Sequence, residues 1–197
     1  MTKNVLVRIQ DSAEFFPAIK GVEGAAFYIG GSNAAHTWTD GQIRSLTERY
    51  RLPIWVPDYA NPTPQMDAAA VIGWLEAHSW PMSKAVMLDM ETRVDVALVN
   101  EFGDLLQAAG YRTIPYGSLS AIFRNPRRSG YAVADWDGVA SLEPGAIIKQ
   151  YTARPGYDLS EASPAAVAMM LDTQPGNWRT RALGRAERLV QLLRAHQ

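Results

Sequence analysis

The chain contains no cysteine. That absence removes disulfides, thiolate nucleophiles and every thiolate-held zinc or iron–sulfur centre. Histidine is nearly as scarce. His36, His78 and His196 are the three in 197 residues, and no two stand three or four apart, so no pair shares a helical face as a zinc site needs. Long apolar runs are missing too. No stretch approaches the ~20 apolar residues of a membrane span. The N-terminal MTKNVLVRIQ breaks its short apolar run at Arg8, unlike a signal peptide. The expectation is a product that stays in the cytoplasm as synthesised unless another route exports it. Neither sign of charge dominates: 19 Lys+Arg face 20 Asp+Glu, for a net charge of −1. No global field then draws the chain to nucleic acid or an anionic membrane. There is no G-x-G-x-x-G after the first β-rich run, no P-loop and no G-x-S-x-G elbow. Carboxylates, hydroxyls and aromatics remain to carry chemistry. The aromatics are abundant, at 6 Trp, 8 Tyr and 5 Phe.

The charge is unevenly placed. Residues 175–197 hold Arg179, Arg181, Arg185, Arg188 and Arg194 against Glu187, a balance of +4 that leaves −5 on residues 1–174. The turn-forming Gln174-Pro175-Gly176-Asn177 marks the boundary. Beyond it Leu183, Ala186, Val190 and Leu193 recur at helical spacing. This predicts a basic amphipathic helical tail over 175–197, suited to packing on the body or to self-association. A contact with membrane or nucleic acid is the alternative.

Residues 1–174 alternate β-rich runs with helical patterns. The runs are Asn4–Ile9, Ala25–Ile29, Pro53–Val56, Ala85–Leu88, Arg112–Tyr116, Tyr131–Ala134 and Ala146–Tyr151, with an eighth at Tyr157–Leu159. Helices are expected at 12–20, at 39–51 behind Thr39 or Asp40 as N-cap, at 64–79 with Thr63 ahead of Pro64, and at 94–109 ending at Gly110. Such alternation predicts a parallel sheet with helices outside it. The early intervals have room for crossover helices and the last ones do not. The expected fold is therefore α/β, a shortened (β/α)8 TIM-like barrel with degenerate helices in its second half. A doubly wound open sheet is the competitor.

Active residues of α/β folds gather where strands end. Reading past each run gives Asp11, Tyr28, Asp58 with Tyr59, Asp89 with Glu91, Tyr116, Asp135 with Trp136, Gln150 with Tyr151, and Asp158. Any single Asp after a strand is an ordinary helix cap, but repetition over so many strand ends points to a site. In AVMLDMETR, Asp89 and Glu91 stand two apart, so an extended chain turns both to one side. Two close carboxylates repel, and one then keeps its proton to higher pH. A protonated acid beside an ionised partner suits glycosidic cleavage. The other reading of the pair is a helix cap and a first-turn Glu.

The ordered segments AAFYIGG (25–31), IWVPDY (54–59), AVMLDMET (85–92), YRTIPYGS (111–118), YAVADWDG (131–138), IIKQYT (147–152) and GYDLS (156–160) resemble glycoside hydrolase family 25. They resemble more closely the bacterial glycoside-hydrolase-like domains related to it. The likeness spans residues 1 to about 172. It implies cleavage of peptidoglycan between N-acetylmuramic acid and N-acetylglucosamine, without metal or cofactor. It also implies Glu91 as general acid, with Asp89 stabilising charge or orienting the N-acetyl group, and Asp158 as a further site carboxylate. Tyr116, Trp136, Gln150 and Tyr151 then line the groove, with Tyr28, Asp58, Tyr59 and Asp135 at the other strand ends. The family begins with Gly-x-Asp-x-Ser, whereas this chain reads VRIQDS. Asp11 either fills that first-strand role or caps a helix at 12–20. A non-catalytic glycan-binding or structural domain is the second function expected of such a chain.

Overall fold

The computed structural model describes residues 6–12, 14–32, 36–58, 63–90, 96–122 and 130–173. Eight strands form a closed ring: β1 (Val7–Ser12), β2 (Gly24–Gly31), β3 (Tyr50–Val56), β4 (Ala85–Asp89), β5 (Arg112–Ser118), β6 (Tyr131–Ala134), β7 (Ala146–Arg154) and β8 (Tyr157–Ala162). From β1 to β7 every neighbouring pair is parallel. β8 is antiparallel both to β7 and to β1, and it closes the ring. The purely parallel sheet expected from the alternation is corrected at this strand. The connection from Arg154 to Tyr157 is a two-residue turn carrying Gly156 at φ 87°, too short for a parallel crossover.

The parallel strands are buried on both faces, as apolar runs rather than alternating ones require. Inward side chains Ile9, Ala26, Leu52, Ile54, Met87, Ile114, Ala132, Ile148 and Ala162 fill the barrel. Outward ones, among them Phe27, Ile29, Trp55, Val86 and Leu88, pack against the helices. Of these, α2 (Pro64–Ala77) contributes Ala68, Val71 and Leu75, and α3 (Val96–Ala108) contributes Leu98, Val99, Phe102 and Leu106 at helical spacing. α3 is followed by Gly110 at φ 87°, the left-handed conformation expected of a glycine just past a helix. α4 (Leu119–Ile122) is a single turn.

Two helical expectations fail. Residues 14–20 form no helix, because Asp11 and Ser12 stay in β1, paired with Ala26 and Phe27 of β2. The segment instead lays Phe15 edge-on to Trp38 and Phe16 against Tyr157. The helix expected over 39–51 is α1 (Asp40–Ser45), and Tyr50 opens β3 in register with Gly24. Sheet pairing overrides the helical spacing of Ile43, Leu46 and Tyr50. At the start of α1, Thr39 and Gln42 form a reciprocal capping box. Thr63 makes no such bond at the start of α2, so the proline rather than the threonine side chain marks that end.

The far end of the ring is stoppered. After β8 the chain enters α5 (Pro164–Met169), capped by Ser163, and packs Ala166, Met169 and Met170 onto the inner core. β9 (Leu171–Asp172), unforeseen in the sequence, then pairs antiparallel with Tyr50 and Arg51 at the start of β3. Asp172 holds Arg49 by two bonds, 3.1 Å from Nε and 2.9 Å from Nη2. The tail from Gln174 lies outside the described residues. No helix among the described residues is long and apolar enough to cross a membrane.

At the opposite end β2 carries a bulge between Tyr28 and Gly30, and Gly31 follows at φ 104°. A Cβ on Gly31 would fall on the Val56 carbonyl oxygen, and that φ disfavours any side chain. Gly138, at φ 77°, has open space around it. Gly31→Ala is therefore expected to cost about 3 kcal/mol, and Gly138→Ala about 1 kcal/mol, in urea unfolding. Equal costs would remove the steric argument.

Candidate active site

The carboxyl ends of β1 to β7 open at one mouth, where their last inward side chains meet. β1 turns Ile9 into the core and, two residues on, Asp11, which is 6% exposed and stands in register with Asp158 of β8. β4 does the same with Met87 and then Asp89, 4% exposed. The Tyr28 hydroxyl of β2 donates to Asp89 Oδ2 at 3.2 Å, passing over β3. On the other side of the ring, the Tyr116 hydroxyl of β5 donates to Gln150 Oε1 of β7 at 2.6 Å, passing over β6. The same oxygen accepts from Trp136 Nε1 at 3.0 Å, and Gln150 Nε2 donates to Asp158 Oδ2 at 3.1 Å. The two tyrosine bonds each pass over one strand, and the Gln150 bonds tie β7 to β8 and to the loop before it. Together they fix the direction of two carboxylates and leave the Trp136 indole 63% exposed above them.

The structure thus brings together Asp11, Tyr28, Asp89, Tyr116, Trp136, Gln150 and Asp158. Asp11 belongs to a strand and does not cap a helix. Three other candidates sit elsewhere. Asp58 lies just beyond β3, close enough to Asp67 of α2 for its charge to act there. Asp135 turns outward onto Lys149. Tyr151 is on the outer side near Arg8, whose guanidinium is held charged first by its bond to Glu161 and further by this phenol. Glu91 and Tyr59 fall outside the described residues.

Lys149, Asp67 and Glu48 carry buried or charged roles that the sequence reading did not single out. Burial raises the Asp67 carboxyl above the ordinary carboxylate range. The bond from Trp55 Nε1 at 3.0 Å opposes that, and Asp58 adds to it. Glu48, 4% exposed, accepts from Gln10 Nε2 at 2.6 Å on the outer face of β1.

Lys149 is the largest of these omissions. Its side chain is fully buried, and its ammonium lies 3.2 Å from Asp135, 3.0 Å from Asp137 and 2.9 Å from Glu143. Burial alone would lower its pKa. Hydrogen bonds to Glu143, Asp137 and Asp135 outweigh burial and hold it above the usual lysine range. The three carboxylates stand within 4.8 Å of one another, a grouping that suits a cation, and the ammonium lies within bonding distance of all three. A lysine inside the apolar run Ile147–Tyr151 was the available signal, because a charge at a buried strand position must find partners.

No protein-family model matches the chain, and no curated protein sequence matches it. Solved structures do match. An uncharacterized B. stearothermophilus protein is 18% identical, with a TM-score of 0.65 over 83% of this chain and 99% of its own. A glycosyl hydrolase 25 of Streptococcus pneumoniae, described as a virulence factor in host cell invasion, is 16% identical, with a TM-score of 0.56 over 81% of this chain and 88% of its own. The modular Cpl-1 endolysin, solved with a peptidoglycan analogue, is 14% identical, with a TM-score of 0.54 over 88% of this chain and 57% of its own. At these identities the likeness establishes a shared barrel fold.

Asp137 titrates below the ordinary carboxylate range, first because it accepts from the Val139 amide and next because of Lys149. A depressed folded-state pKa contributes stability that is complete above about pH 4 and is lost as pH falls through the depressed value. Asp137→Asn is therefore expected to flatten the acid limb of Tm against pH. An unchanged limb would show that Asp137 is not held by this cluster.

Proposed function

We propose that the protein is a glycoside hydrolase acting on bacterial cell-wall glycan, muramidase-like, by carboxylate acid catalysis. One observation carries the reading: Asp89 and Asp158 are hydrogen-bonded in place inside a barrel mouth, beneath an exposed indole. Carboxylates with a fixed direction suit positive charge developing at an anomeric carbon. An indole face suits the apolar face of a sugar ring. The barrel shared with a glycosyl hydrolase 25 and an endolysin supports the same reading.

In this proposal Glu91, two residues beyond Asp89, is the general acid. It gives its proton to the glycosidic oxygen as the bond from that oxygen to the anomeric carbon breaks. Asp89, oriented by Tyr28, faces the positive charge left on the sugar. Asp158, held by Gln150 and in register with Asp11, completes the carboxylate set. Water then adds hydroxide to the anomeric carbon and returns a proton to the acid, so atoms and charge balance. Trp136 stacks on a neighbouring ring.

The test is release of reducing ends from purified peptidoglycan. Glu91→Gln is expected to lower the rate by at least about 100-fold while sedimentation with peptidoglycan persists. Trp136→Ala is expected to weaken that sedimentation about fivefold. Binding without any release by the wild type would turn the reading to a glycan-binding domain. Absence of both would sink it.

A further inference from the structure

The connection from β6 to β7, residues 135–145, contains neither helix nor strand, yet it presents the indole at the mouth. Its first three residues alternate. Asp135 and Asp137 turn outward to the Lys149 ammonium, and Trp136 turns inward to Gln150 Oε1. The strand beside it alternates in step, with Lys149 on the outer face of β7 and Gln150 on the inner. The loop therefore straddles the top of β7 and is gripped from both sides. Two backbone bonds seat it, from the Asp135 amide to Gln150 O at 3.0 Å and from the Gly138 amide to Tyr151 O at 3.0 Å. Glu143, near the far end of the loop, comes back to the same ammonium.

The two grips differ in strength. The Gln150 amide oxygen is neutral and is shared between Tyr116 and Trp136. The buried ammonium makes three charge-assisted bonds, to carboxylates that are themselves partly exposed. The indole itself is mostly in solvent, so packing does little to fix it. Without the ammonium, three carboxylates within 4.8 Å would repel one another and lift the loop.

We propose that Lys149 is a positioning residue for Trp136. From outside the barrel it clamps the loop, so that the indole stands ready as a sugar-stacking platform before any ligand arrives. The proposal rests on reading the mouth as a glycan site. A platform fixed in advance costs less ordering on binding than a mobile one.

The test combines two readouts on the full chain. The indole NH resonance of Trp136, assigned by its loss in Trp136→Phe, reports local order through its relaxation. Titration with a soluble N-acetylglucosamine tetrasaccharide reports binding. Lys149→Met is expected to make the Trp136 indole mobile and to weaken tetrasaccharide binding about tenfold. Trp136→Ala added to Lys149→Met is expected to cost less than it does alone. If Lys149→Met does not fold, Asp137→Asn carries the test, since that side chain is 41% exposed and the substitution removes the charge of one of the three partners. It is expected to loosen the same indole part-way. An indole as ordered in the variants as in the wild type overturns the proposal, and so do losses that multiply independently. Failure of the wild type to bind the tetrasaccharide counts against the glycan reading instead, and the indole relaxation still decides the role of Lys149.

Discussion

The pairing of β8 with both β7 and β1 is the constraint on which the barrel and its mouth depend. A run of seven parallel strands has two raw edges, each a row of unpaired amides and carbonyls. A short hairpin at Gly156 turns the chain back along β7, and the returning strand satisfies both edges at once. The reversal also decides what stands at the mouth. In a parallel eighth strand the residues at the mouth would come from its end. Here they come from its beginning, so Asp158 faces Asp11 across the closing seam.

The second half of the ring economises on helices, and charge takes their place. Where α2 and α3 cover the early strands with Leu and Phe, the outer face of β7 is covered by a loop bonded to a buried ammonium. Apolar burial is non-directional and tolerates small shifts. An ion cluster is directional, and removing its lysine leaves three carboxylates facing one another. The two halves of the barrel should therefore respond differently to change. The helical side is expected to accept volume-conserving substitution more readily than the loop side accepts loss of its lysine.

Much of this was legible in the sequence. Apolar runs such as AVMLD and AFYIG read as strands buried on both faces, and seven β-rich runs in order, with intervals that shorten, pointed to a barrel with failing helices, with an open sheet as the competitor. The residues just past those runs were the right place to look, because alternation along a strand carries a polar side chain to the same face as the apolar one two before it. Asp89 after Met87 and Asp11 after Ile9 are instances. What the sequence hid was set by partners far along the chain. Tyr50 continues a helical spacing, and only its pairing with Gly24 makes it a strand residue. Ser12 precedes a plausible helix, and only its pairing with Phe27 keeps it extended. Asp135 and Tyr151 look like mouth residues, yet they face outward because Lys149 and Arg8 lie there.

The stopper formed by Ala166, Met169 and Met170 makes the barrel a cup rather than a tube. A cup has one rim. Water displaced when a ligand settles must leave past that ligand, and so must anything released from it. The depth of the cup is fixed by Ile9, Leu52, Ile54, Met87, Ile114 and Ile148, which leave the polar layer standing on an apolar base. A chain molecule then cannot be threaded through the barrel. Among the described residues, the polar layer is approached from the rim.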